Sequence, residues 1–343
     1  MTTQAARDPR RPATQEDVAR AVGVSRTLVS FAFRGAPGVS KETREAIFEA
    51  AARLGYRQNA AAADLASKRA SAVGLYLLDI RNETYAEILS GIRGALEGAR
   101  NRLVLSVAHS SGGTERAGIE SLIEARVGIV IGATLLDSED HVRELSRSVP
   151  VVSVARRIEG VDSVYSDDRM GARAATAHLL SLGHTRIAHF TGPSPFGYQD
   201  RELAYEQTMR EAGLPPWVVV ADDYTQASAE RLALRLFDTE SRPTAIFAHN
   251  DQIALGIREA AYAKGIRVPE DLSLIGYDDS RLARLRGIDL TSVDLGALEL
   301  GRVAGAAALE RLRDPHAPAV DVRSEPSLVV RASTAPPRGS RSR

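Results

Sequence analysis

Polar and charged residues gather at a few points between apolar runs: Asp79-Ile80-Arg81-Asn82, Arg156-Arg157, Pro193-Ser194-Pro195-Phe196, Asn250-Asp251 and Asp278-Asp279, with Tyr85, Phe196 and Tyr224 nearby. Together they offer hydrogen-bond donors, acceptors and aromatic faces, which suits holding a small hydroxylated or polar ligand. They do not suggest a reaction. No G-x-G-x-x-G follows a predicted strand, there is no G-x-x-x-x-G-K-[ST], and the TGPSPFG segment around Ser194 lacks the glycine spacing of a nucleophile elbow. His178, His184 and His189 lack H-E-x-x-H spacing and read as packed or capping histidines, so no metal is expected. With no cysteine there is neither a disulfide nor thiolate chemistry. Taken singly, each polar residue is better explained as the cap of a following helix. Their collective position carries the argument for a ligand site.

A second constellation points to a different partner. Thr14 to Arg34 reads TQEDVARAVGVSRTLVSFAFR. Thr14 and Asp17 form a capping box, Val18, Ala19 and Val22 give the first helix a small buried side, and Gly23 stops it. Ser25 caps a second helix with Leu28, Val29 and Ala32 inside and Arg26, Thr27, Ser30 and Phe31 facing outward. Two short helices joined by a turn containing glycine make a helix-turn-helix, whose second helix enters the DNA major groove. An ordinary αα-hairpin would show the same local pattern, so the neighbours must decide. Ser40 caps a third helix to about Leu54, with Ala46, Ile47, Ala50, Ala51 and Leu54 as its stripe and Gly55 as its stop, which completes a minimal DNA-binding domain.

The elements that position the strand-end residues begin at Ser71. Buried strands are predicted at Ala72–Ile80, Arg102–His109, Gly128–Thr134 and Pro150–Arg156, with helices near 84–100, 114–125 and 138–147. A second set has strands at Arg186–Gly192, about Val218–Ala221, Thr244–His249 and Asp271–Tyr277, with helices near 168–182, 200–212, 226–238 and 251–264. Continuous apolar strands between helices indicate parallel sheets covered on both faces, here two doubly wound lobes. The segment from Leu290 to Ala332 adds a helix and two short strands that return to both lobes. In such sheets ligands bind outside the carboxyl ends of the strands, where the polar clusters fall.

Charge separates the two parts. Residues 1–70 hold 12 Lys/Arg against 7 Asp/Glu, and the remainder holds 32 against 37, so a head of +5 sits on a body of −5. Only the head is expected to meet an anionic polymer. No apolar run approaches the roughly 20 residues that cross a bilayer, and the start has no apolar secretory core, so a cytoplasmic location is expected.

The chain resembles the LacI/GalR family of bacterial transcriptional regulators from about Thr14 to Ala332. The resemblance is carried by EDVARAVGVSRTLVSFAFRGAPGVSKETREAIFEAAARLGYRQNA and then, in order, by AVGLYLLDIRNETYAEILSGI, HLLSLGHTRIAHFTGP, TAIFAHNDQIALGIREA and VPEDLSLIGYDD. It implies an α/β fold: a two-lobed periplasmic-binding-protein-like body of two doubly wound parallel sheets behind an N-terminal all-α helix-turn-helix domain. The implied layout is a disordered 1–13, the helix-turn-helix at 14–57, a hinge helix at 58–70, the body at 71–332 (lobes of about 71–166 plus 296–324, and 167–295 plus 325–332) and a disordered tail at 333–343. Read without the resemblance, 58–70 is equally a plain linker.

By position, the resemblance implies base reading by Arg26, Thr27 and Phe31, phosphate contacts by Ser25 and Ser30 with Thr14 and Arg34 beside them, and a hinge of Asn59, Ala62 and Leu65, with Leu65 as a minor-groove wedge. Tyr85, Arg156, Phe196, Arg201, Tyr224, Asn250 and Asp278 would bind effector. The implied partners are a pseudopalindromic double-stranded operator, a sugar or sugar-derived effector and a second copy of the chain, with no membrane and no cofactor. Release of DNA on effector binding is the family's commoner mode, and without a leucine heptad repeat in the tail no tail-mediated tetramer is expected.

Several positions depart from the family pattern. Phe31 stands where arginine is usual, Leu28 for threonine and Gln58 for the hinge proline. Ala155 replaces a common sugar-binding aspartate, and Leu295 a commonly polar residue in LTSVDLG. The last two, with Arg156 and Arg201 retained, favour an acidic, phosphorylated or less hydroxylated ligand. The competing readings are an enzyme on a doubly wound fold, a periplasmic-type solute-binding or sensory protein without DNA output, and a body that senses nothing.

Overall fold

The computed structural model describes residues 11, 13–57, 71–99, 101–108, 115–193 and 199–338. They divide into two compact units that part after Ala70.

In the first unit, helices α1 (Gln15–Val22), α2 (Arg26–Arg34) and α3 (Lys41–Leu54) start and stop where local chemistry places them. The Thr14 and Asp17 side chains cap each other's backbone N–H, at 3.3 and 2.9 Å. Such a cap is worth about 1 kcal/mol. Gly23 ends α1 with φ +77°, a left-handed conformation that costs glycine nothing. Val18, Val29 and Ile47 are fully buried between the helices, with Ala19, Ala32, Ala50 and Ala51. Leu28, expected inside, is only half-buried, because Val29 and Ala32 take the inward face of α2. Phe33 fills the remaining space, edge-on to Phe48 and Tyr56 at 5.1 and 5.3 Å.

The second unit contains two six-stranded sheets. The first has the order β11-β5-β4-β3-β1-β2, with β1 Val73–Leu77, β2 Leu103–Val107, β3 Ile129–Ala133, β4 Val151–Val154, β5 Asp162–Ser166 and β11 Asp321–Ser324, all parallel. The second has the order β12-β10-β9-β8-β6-β7, with β6 Ile187–Thr191, β7 Val218–Val220, β8 Ala245–Ala248, β9 Ser273–Tyr277, β10 Thr291–Asp294 and β12 Ser327–Val329. Only β12 is antiparallel there. Helices α4 (Glu83–Ala95), α5 (Glu115–Glu124) and α6 (Glu139–Ser146) link strands of the first sheet. Helices α7 (Asp168–Ser181), α8 (Gln199–Glu211), α9 (Gln226–Phe237) and α10 (Asp251–Ala263) surround the second. Central strands such as β1, β3, β6 and β9 are buried at every residue, which is why they read as unbroken apolar runs.

Three features differ from the sequence reading. Strand β5 was not expected, because Asp162, Ser163 and Ser166 interrupt any apolar run. Asp162 is nevertheless buried, since Arg311 clamps it at 2.7 and 2.9 Å and the Val320 N–H donates to it. The final segment contributes three short strands, not two, around helix α11 (Ala297–Arg313). Residues 333–338, expected as part of a disordered tail, are instead fixed on the second sheet. The Ser333 hydroxyl donates to the Leu274 carbonyl and accepts from the Thr291 N–H, and the Ala335 carbonyl lies 2.9 Å from His184 Nε2.

Helix α11 completes the first sheet's cover by lying directly on α4. A Cβ at Gly91 would stand 2.0 Å from the Leu298 carbonyl oxygen, and one at Gly301 2.1 Å from that of Ile88. Only glycine lets the two backbones approach this closely.

Candidate nucleic-acid interface and effector cleft

On the head, α2 buries Val29 and Ala32 and turns Thr27, Ser30, Phe31 and Arg34 outward at i, i+3, i+4, i+7 spacing, with Arg26 at its start. Arg26, Thr27 and Arg34 are exposed, while Ser30 and Phe31 are half-buried. The Ser25 hydroxyl accepts from the Leu28 N–H at 3.1 Å and keeps its own proton to donate. Thr14 is more fully engaged, since its hydroxyl both donates to Asp17 and accepts from the Asp17 N–H. Asn59, Ala62 and Leu65 lie outside the described residues.

In the body, the carboxyl end of β9 turns at Asp278 with φ +110°, a backbone region that non-glycine residues rarely adopt. Beside it, α8 delivers Arg201, 6% exposed, into a buried ionic cluster. Its guanidinium lies 3.7 Å over the Tyr277 ring. Nε is 3.2 Å from Asp168 Oδ2, while Nη1 donates to the His249 carbonyl at 2.7 Å and is 3.9 Å from Asp278 Oδ1. The Tyr277 hydroxyl donates to the other Asp168 oxygen at 2.9 Å.

Burial pushes the Asp278 carboxyl up from the ordinary aspartate range, Arg201 opposes this, and the side chains of Asn82 and Thr84 face it. Asp251 is also raised by burial, though Ser292 Oγ and the Ser280 N–H both donate to it at 2.7 Å. Burial holds His249 neutral by lowering its pKa and takes His189 down to about 3.

The predicted effector residues fall into two groups. Arg201, Asp278, Asn250 and Tyr224 converge. Asn250 follows His249 directly and caps α10 by accepting from the Ile253 N–H. Tyr224 packs 5.0 Å from the His249 ring and donates to the Gly192 carbonyl at 3.3 Å. Tyr85 is buried in the core just past Asn82 and Thr84. Arg156 stands apart. Its Nη1 donates to the Leu135 and Asp137 carbonyls at 2.8 and 2.6 Å, bracing the loop after β3. It lines a cavity of about 390 Å³ together with Tyr165, Asp168, Arg169 and Gln199. Phe196 lies outside the described residues.

Sequence reasoning missed Asp168, Tyr277 and His249. Asp168 follows the unrecognised β5, so the strand-end rule had no strand to act on. Tyr277 and His249 were counted as strand residues only.

The electrostatics count against an acidic ligand. Arg201 already faces two carboxylates and Arg156 is bonded to carbonyls. At the cavity wall Arg157, Arg169 and Arg323 pair with Asp321, Asp200 and Asp167 at 2.9, 2.8 and 3.2 Å. The arrangement suits a neutral ligand that exchanges many hydrogen bonds.

Comparison with known proteins addresses both regions. Residues 14–59 match the model for bacterial regulatory proteins of the lacI family, and residues 176–334 match a periplasmic binding protein-like domain. Catabolite control protein A of Priestia megaterium is 34% identical over 295 residues, covering 84% of this chain and 89% of that protein. The crystal structure of the lac repressor dimer bound to operator and the anti-inducer ONPF superposes with a TM-score of 0.81 at 27% identity, covering 95% of this chain and all of that one. The structure of a transcriptional regulator CelR–cellobiose complex gives 0.69 at 30% identity, covering 94% and 100%. With relatives matching from the head to the last strand, the chain belongs to the LacI family of bacterial regulatory proteins and is a DNA-binding transcriptional regulator, not an enzyme.

Proposed function

We propose that this protein is a cytoplasmic, homodimeric repressor whose operator affinity is set by a neutral, polyhydroxylated small molecule, a sugar or sugar derivative, bound at the carboxyl ends of the two sheets. The observation that carries the ligand class is the pairing of Arg201 with Asp168 and Asp278, which leaves a polar wall on which Arg201 offers no unmatched positive charge. The cellobiose bound by one relative is a ligand of this kind. Asn250, Asp278, Arg201 and Tyr224 act as the hydrogen-bonding and stacking groups on one side, with Tyr85 and Arg156 on the other and Phe196 closing the set.

On DNA, the outward face of α2, which carries Arg26, Thr27, Phe31 and Arg34, reads bases, while Ser25, Ser30 and Thr14 fix its position. A dimer presents two such helices to the halves of a pseudopalindromic site, and Asn59, Ala62 and Leu65 engage the minor groove between them. Effector acts by preferring one of two body conformations, and only that difference in affinity shifts DNA binding.

The test is a mobility shift of the full-length protein on its own upstream promoter DNA, with neutral sugars, sugar acids and sugar phosphates titrated in. A specific complex altered by a neutral sugar at lower concentration than by any anion supports the reading and gives the sign of the response. A response confined to acids or phosphates overturns the ligand class.

A further inference from the structure

The outward face of α2 carries an unusual pair. The Arg34 guanidinium lies 5.1 Å from the centre of the Phe31 ring, and its Nε donates to the Ser30 carbonyl at 3.3 Å. Among the described residues no carboxylate pairs with it. Side chains on a helix lean toward its N-terminus, so a residue at the C-terminal end can lie back over the preceding turn. Here the ring and the carbonyl hold it there. The charge therefore lies alongside Phe31, in line with Thr27, and not beyond the helix end.

We propose that Phe31 and Arg34 form one reading unit, in which Arg34 recognises a guanine in each half-site and Phe31 is the platform that positions it. With Nε engaged by Ser30, the donors left for DNA are the two Nη groups, a pair that can meet the O6 and N7 acceptors on the major-groove edge of guanine as well as two phosphate oxygens. Two observations favour the base. The stack draws the cation toward the middle of the helix, where base edges are met, whereas a phosphate contact would suit an extended, unstacked arginine at the helix end. Phe31 also brings no hydrogen-bond donor of its own, and among the described residues Thr27, Ser30, Phe31 and Arg34 of this face the charge is the one Phe31 supports. The inference rests on the reading of α2 as the recognition helix.

The experiment selects the preferred site of the full-length protein from a randomised duplex library. Affinity is then measured on every single-base-pair variant of that site for the wild type, Arg34→Ala, Arg34→Lys, Phe31→Ala and Phe31→Leu. The wild type is expected to discriminate about tenfold to a hundredfold at one G·C pair in each half-site. Arg34→Ala and both Phe31 variants should lose that preference at the same position and keep the others. Arg34→Lys retains the charge without the fork and should lose it too. Phe31→Leu preserves apolar bulk, and its thermal melt separates loss of reading from loss of fold. If Arg34→Ala weakens all sequences alike and lowers the salt slope by about one per contact, Arg34 holds phosphate and the proposal fails. It fails equally if Phe31→Leu leaves the guanine preference intact. A wild type that selects no sequence at all would overturn the recognition helix itself, which the other two outcomes leave standing.

Discussion

Arg156 and Arg201 invite comparison, since each is buried near the carboxyl end of a sheet and each was assigned to the effector from sequence. Their surroundings differ in kind. Arg156 braces a loop by donating to two backbone carbonyls, with the carboxylates of Glu139, Glu115 and Asp137 acting on it through space. Arg201 sits between two carboxylates and over an aromatic ring. One is a bracket and the other a charge hub. A buried arginine therefore says little about its role until its partners are known, because desolvation is offset in different ways.

Removing each guanidinium should expose that contrast. Arg201→Met leaves Asp168 and Asp278 near one another without a cation, and we expect a loss of about 3–5 kcal/mol, read in urea denaturation. Adding Asp278→Asn to that variant should recover part of the loss, because one of the abandoned charges is gone. Strict additivity would show that the two side chains are not coupled. Arg156→Met should cost less, roughly 1–3 kcal/mol, since the groups it leaves unbonded are two neutral carbonyls and not carboxylates in direct contact. Equal losses at the two positions would remove the distinction between bracket and hub.

A pH series sharpens the comparison further. Because the Asp278 carboxyl is raised above its ordinary 3.8, the folded state holds more protons than the unfolded state between that value and the raised one. Its contribution to stability therefore falls as pH rises through this window. Asp278→Asn should flatten that part of the stability profile more than Arg156→Met does, since Arg156 acts in this window only through the buried Glu115 carboxyl. The smallest expected effect is spectroscopic. His189, lowered to about 3 by complete burial, should show no imidazole titration by NMR between pH 7 and 4.5.

What could be read from the sequence follows the same line. The head was legible almost to the residue, because Thr14, Ser25 and Ser40 bond within three residues of themselves and the helices end at Gly23, Gly35 and Gly55. The central strands were legible because burial on both faces leaves an apolar record. Strand β5 was not, since its Asp162 is satisfied by Arg311, far along the chain. The 333–338 segment failed for a similar reason. Its composition reads as tail, but Thr291 of β10 and His184, just before β6, supply its partners. At the effector cleft, Arg201 and Asp278 could be named from their positions. The carboxylate that joins them, Asp168, could not, because the strand that carries it there was invisible.

The close seating of α11 on α4 also bears on how the molecule is made. Residues 297–324, which supply α11 and β11, leave the ribosome long after β1 and α4, yet the first sheet lacks an edge and a covering helix without them. The head, built from local contacts within its first 57 residues, is free to fold as soon as it emerges. The earliest strands of the body must instead wait, with apolar faces uncovered, until α11 has followed them. That interval is when this protein is most open to chaperones and to aggregation, and glycine at 91 and 301 is what lets the late-arriving helix close it.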